Sequence, residues 1–116
     1  GGCRGPPERA EEELGRGDLK QASERIWGAA ALAVKALALE REGRRLASHG
    51  EMWEFVAQIA REAGDGELRR LWRSATSMHI NFYEGWATVE HVGDALDDVR
   101  ALMNRLKQLR GEGASG

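Results

Sequence analysis

The sequence predicts an all-α fold, an antiparallel bundle of four to five helices. Three observations carry that prediction. Apolar residues recur at three- and four-residue steps along several long stretches, which is the period of one helix face. Residues that start and stop helices bracket those stretches. No segment alternates with the two-residue period of a strand, and β-branched residues are scattered.

The elements follow in order. Pro6 and Pro7 suit the first turn of a helix, and Glu8, Glu11, Glu12 and Glu13 suit its positive end, before Gly15-Arg16-Gly17 stops it. Asp18 followed by Gln21 is a capping-box pattern that opens a second helix, and Gly43 closes it. Between residues 26 and 39 this helix is apolar almost all round, interrupted by Lys35, and is expected to be the central, most buried element. Gly28 within it reads as a point of close helix contact.

Ser48 and Glu51 form a second capping box, and Met52, Trp53, Val56, Ile59, Ala60 and Ala63 make one stripe that ends at Gly64. Asp65 caps a fourth helix with Leu68, Leu71, Trp72, Ala75, Met78, His79, Phe82 and Trp86 in the same rhythm, with Gly85 as its candidate terminator. Thr88 caps the last helix, whose stripe is Val92, Leu96, Val99, Leu102, Met103, Leu106 and Leu109. Short connections make consecutive helices antiparallel neighbours. The expected organisation is a flexible leader over residues 1–7, a helical-bundle domain over 8–109 and a flexible tail over 110–116.

Bulk properties restrict the function classes. A chain of 116 residues is one domain, and folding buries roughly two thirds of its unfolded surface. The formal charge of −2 argues against binding nucleic acid through a large uniform positive field, although a local basic patch stays open. The single cysteine, Cys3, allows neither an intrachain disulfide nor a cysteine-based zinc site, which fits an intracellular, cytoplasmic setting. The longest apolar run is too short to span a bilayer. No P-loop, dinucleotide-binding glycine motif, paired-histidine metal motif or nucleophile elbow is present, so no metal or cofactor is expected.

The most informative stretch runs from Met78 to Trp86. On a helix, His79, Phe82, Tyr83 and Trp86 share a face. The functional reading of His79 is a general base or phosphate contact in a partly desolvated cleft. The structural reading is a core histidine satisfied by Tyr83, Glu84 or a backbone carbonyl. Arg69, Arg70 and Arg73 put positive charge on the other side of that helix, either as a phosphate-binding surface or as a solvated face paired with Glu67. Lys35 either meets an anionic ligand or snorkels to water, and Glu24 shares its face in a polar seam. The binding candidates are therefore Asn81, Tyr83, Glu84 and Lys35. Trp27, Trp53, Trp72 and Trp86 read as core anchors. His49 and His91 lie in first turns of helices, without metal-ligand spacing.

Two motifs carry a family resemblance. The segment Gly17-Asp18-Leu19-Lys20-Gln21-Ala22-Ser23-Glu24-Arg25-Ile26-Trp27-Gly28-Ala29-Ala30-Ala31 resembles the archaeal PaREP family, as does His79-Ile80-Asn81-Phe82-Tyr83-Glu84-Gly85-Trp86. With the Ser48-His49 helix start and the closing helix, the likeness covers most of residues 8–109. That family is similar to the HEPN helical superfamily and is prominent in thermophilic archaea. The resemblance implies a HEPN-like bundle that dimerises.

Active members of that superfamily are metal-independent ribonucleases whose motif is an Arg followed, after four to six residues, by a His. Arg73 and His79, with five residues between them, meet that spacing and are the catalytic candidates it implies. Ser74 departs from the Asn, Asp or His that active members often carry after the Arg. A six-residue step also sets the two side chains about 120° apart on a helix, so both reach one phosphate only with help from a turn or a second subunit. The expected function is accordingly a self-associating binding module for a partner protein or a nucleotide. The alternative is a toxin-like ribonuclease acting on RNA through Arg73 and His79.

Overall fold

A computed structural model describes residues 5–115, with side chains through residue 111. The chain forms five helices: α1 (Pro6–Gly15), α2 (Leu19–Glu42), α3 (His49–Ala63), α4 (Glu67–Glu84) and α5 (Val89–Ser115). No strand occurs among the described residues, and the all-α bundle is as the periodicity predicts. No helix among them is long and apolar enough to cross a membrane.

Three of the four expected caps form, whereas α4 is capped at Gly66 with no side-chain cap bond, and Asp65, one residue earlier, accepts from Glu67 N instead. Asp18 accepts from the Gln21 amide and Ser48 from the Glu51 amide, while Glu51 turns back to accept from Ala47 N. Thr88 Oγ1 accepts from His91 N at the start of α5. Gly43, Gly64 and Gly85 close α2, α3 and α4 at φ of +64°, +64° and +70°, a conformation glycine adopts without a Cβ penalty. At Gly85 an added Cβ would also come within 2.8 Å of Lys20 Cε, the far end of a flexible side chain that can move aside, so the positive φ is what favours glycine there.

Helices α2, α4 and α5 pack against one another as the core, with α1 flanking α2 and α5, and α3 flanking α4. Ile26, Val34 and Leu37 of α2 are fully buried, as are Trp72 and Met78 of α4 and Val99 and Leu102 of α5. The connection over residues 43–48 runs back along α2. His49, at its far end, stacks on Trp27, roughly four turns before the Gly43 cap.

Several expectations are corrected. α2 is central but not enclosed: Lys35 and Ala36 are exposed, and Leu32 and Leu39 are 63% and 49% exposed. Only α1, α3, α4 and α5 are available to cover it, and one stripe is left over. The α3 stripe includes Phe55, fully buried, and leaves Ala63 exposed. Trp86 lies beyond α4, because Gly85 ends the helix, and is exposed against His91. α1 begins at Pro6, inside the stretch assigned to a leader, and α5 runs on through residues 110–115 assigned to a tail. Leu109 is buried, and the Arg110 guanidinium grips both Glu40 oxygens at 2.6 Å, so α5 is held against α2 as far as the residue before Gly111. Cys3 and Gly116 lie outside the described residues.

Candidate functional site

The site forms where α2, the start of α3 and the C-terminal half of α4 meet. α2 supplies Glu24 and, one turn on, Trp27. The Ser48 cap sets His49 at the head of α3, and α4 supplies His79 and, one turn on, Tyr83. A buried polar link sets the register between α2 and α4. Asn81 Nδ2 donates to Ser23 Oγ at 2.7 Å, Ser23 Oγ donates to Leu19 O at 2.7 Å, and Asn81 Oδ1 accepts from Ala87 N at 2.7 Å. Ser23 precedes Glu24 and Asn81 follows His79 by two residues, so this link brings those two side chains to the same level.

Three rings touch one another in a triangle. Trp27 and His49 stack nearly parallel with centroids 5.2 Å apart, His79 lies 5.0 Å from Trp27, and the two imidazoles are 5.1 Å apart. Tyr83 meets His79 edge-on at 5.4 Å. Inward, Trp27 packs on fully buried Trp72 at 5.3 Å, and Trp72 meets Trp53 edge-on at 6.3 Å. A continuous run of aromatic rings thus leads from the core to the surface. His49 is exposed at its outer end, and Tyr83 is 69% exposed.

His79 keeps 27% of its side-chain surface exposed, and its Nδ1 lies 3.8 Å from Glu24 Oε2. Both of those atoms are shut off from solvent and neither has a hydrogen-bond partner; Trp72 Nε1 is likewise sealed and unpaired. An orphaned buried polar atom costs about 1–3 kcal/mol, and the facing Nδ1 and Oε2 are a complementary donor and acceptor. Nε2 of His79 is not among the sealed, unpaired atoms. The groups that face the His79 ring are Glu24, Trp27, His49 and Tyr83.

The residues singled out in the sequence divide. His79 and Tyr83 lie in the cluster. Asn81 is 1% exposed and fully engaged with Ser23 and Ala87, so its amide holds the fold together. Glu84 accepts from Trp86 Nε1 at 3.0 Å and does not orient His79. Lys35 lines a separate hollow of about 210 Å³ with Leu39, Arg44, Arg45 and Leu46, and Glu24 turns to His79 in place of the polar seam with Lys35. Arg73 is exposed on α4 and has no ion-pair partner among the described residues.

Arg70, by contrast, forks onto Glu67 and lies 3.7 Å from Asp98. Hydrogen bonding from Arg70 holds the Glu67 carboxyl below its ordinary range and raises Arg70 in turn. Sequence reasoning missed Glu24 as the partner of His79 and His49 as a member of the cluster. Their only signals were the Glu24–Trp27 step on one helix and the cap that turns His49 to the head of another. No group of metal-ligating side chains is present among the described residues.

Comparison with known proteins adds a family. No curated protein matches the chain. A crystal structure of a protein from Sulfolobus solfataricus is similar, with a TM-score of 0.74 and 25% sequence identity, over 89% of this chain and 91% of that one. The archaeal PaREP1/PaREP8 family pattern matches residues 7–103, and the chain belongs to that family.

Proposed function

We propose that the protein is a HEPN-like, self-associating binding module that holds a nucleotide at the Trp27–His49–His79 cluster in a cytoplasmic setting. The observation that carries this reading is the ring triangle itself, which presents one exposed imidazole and an exposed tyrosine at the end of a supported aromatic run. Bases stack on such rings, and single-stranded nucleic acid is held in the same way. Rings braced from behind by Trp72 lose little side-chain freedom on binding. The test is titration of tryptophan emission with adenosine 5′-monophosphate. Saturable quenching that weakens in His49→Ala supports the reading, and emission unchanged at millimolar nucleotide contradicts it.

A second reading has its own observation. His79 combines a sealed nitrogen facing a carboxylate with a partly open ring beside a second imidazole, an arrangement suited to proton transfer. In that reading the protein is a metal-independent ribonuclease, with His79 as base or acid and Arg73 stabilising the phosphorane. RNA cleavage that persists in EDTA and is lost in His79→Ala, with helicity retained by circular dichroism, supports it. Cleavage unchanged in that variant removes His79 from the mechanism.

A further inference from the structure

We infer that Glu24 is a positioning residue for His79: its carboxylate accepts the Nδ1 proton, which fixes the neutral imidazole with Nε2 as a free acceptor on the open side of the cluster. The pairing follows from what each group lacks. Nδ1 of His79 and Oε2 of Glu24 are both closed to solvent, both without a partner, and 3.8 Å apart. Closing that gap by about 1 Å makes a bond of ordinary length and satisfies both atoms at once.

The neighbouring polar groups are committed elsewhere. Ser23 and Asn81 bond to each other, and Arg25 reaches Glu13 at 3.3 Å. Tyr83 presents its ring to the edge of His79, and His49 stacks on it. Glu24 is therefore the one group in place to choose between the two neutral forms of the imidazole. A histidine's tautomer is set by the bond its other nitrogen makes.

The chemical consequence is specific. An outward Nε2 lone pair accepts from an N–H or O–H of whatever enters, such as a ribose hydroxyl or an exocyclic amine of a base. Its opposite tautomer would present a donor and select an acceptor instead. This deepens the nucleotide-binding reading and rests on it for the identity of the ligand, whereas the tautomer itself is a property of the free protein.

The experiment is long-range ¹H–¹⁵N correlation of the histidine side chains in the full chain without ligand, at a pH where His79 is neutral. The expected result is a predominantly Nδ1–H imidazole at His79, with the tautomer ratio moving at least fivefold towards Nε2–H in Glu24→Met. A predominantly Nε2–H ring in the wild type overturns the inference whether or not the variant folds, and so does a ratio unchanged in a folded Glu24→Met. An Nδ1–H ring in a protein that quenches with no nucleotide leaves the dyad standing and removes only the ligand.

Discussion

Asn81 Nδ2 donates a 2.7 Å hydrogen bond to Ser23 Oγ across the buried seam between α4 and α2. Apolar packing alone tolerates small slides of one helix along another. A buried amide with both ends engaged does not, because a slide leaves it unpaired in a place water does not reach. The bond therefore does for the site what hydrophobic stripes cannot, placing Glu24 and Trp27 opposite His79.

Replacing Asn81 by Ala removes that key and leaves Ala87 N without its acceptor, while Ser23 Oγ keeps its bond to Leu19 O. The expected loss of stability is about 1–3 kcal/mol, read from the midpoint of a urea transition at unchanged slope. Ser23→Ala removes one of the two Asn81 bonds together with the Ser23 Oγ bond to Leu19 O, a carbonyl that lies within the backbone ladder of α2, and is expected to cost less. Equal losses in the two variants contradict the assignment.

The tryptophans separate by depth. Trp72 is fully buried between Trp27 and Trp53, and Trp72→Ala is expected to cost about 3–5 kcal/mol. Trp86 is 45% exposed beyond the end of α4, and Trp86→Ala is expected to stay within about 0.5 kcal/mol of wild type. Chemical denaturation of both variants checks the contrast.

Acid affects the Glu67–Arg70 pair in one direction. The Glu67 carboxyl is held below its ordinary range, chiefly by the Arg70 hydrogen bond, so the folded protein keeps it ionised where the unfolded chain begins to protonate it. Its contribution is present above the ordinary carboxylate range and is lost as pH falls through the lowered value. The stability difference between wild type and Glu67→Gln is therefore expected to vanish on acidification and to shrink with added salt. Thermal melts across pH 2–7 measure it; a difference that grows towards low pH contradicts the sign.

Self-association has a surface to account for. Ile80, Tyr83, Trp86 and Val89, close together in the chain around the α4–α5 corner, are each at least 45% exposed. Exposed apolar groups gathered in this way mark contact surfaces more often than isolated ones do. Sedimentation equilibrium is expected to show a dimer that Ile80→Asp weakens, with helicity unchanged. A monomer at high concentration contradicts the proposal.

The fold was legible where local chemistry decides it. The capping residues Asp18, Ser48 and Thr88 and the closing glycines at 43, 64 and 85 each act within a few residues of chain, and all behave as their patterns indicate. The α5 stripe was legible for the same reason, from Val92 to Leu109. What sequence alone left open is set by which helix faces which. Leu32 and Leu39 look like core on a helix that is apolar all round, until the neighbours run out. Asn81 looks like a ligand group beside His79, but it is turned inward to Ser23. Glu24 lies more than fifty positions from His79, and only the packing of α2 on α4 joins them.

The central claim is that the Trp27–His49–His79 cluster receives a nucleotide. It is tested most directly by mapping proton chemical shifts of the aromatic and histidine side chains while adenosine 5′-monophosphate is added. Saturating shifts confined to Trp27, His49, His79 and Tyr83 are the result expected. Shifts centred on Lys35, Arg44 and Arg45, or no saturating shift anywhere, would contradict it.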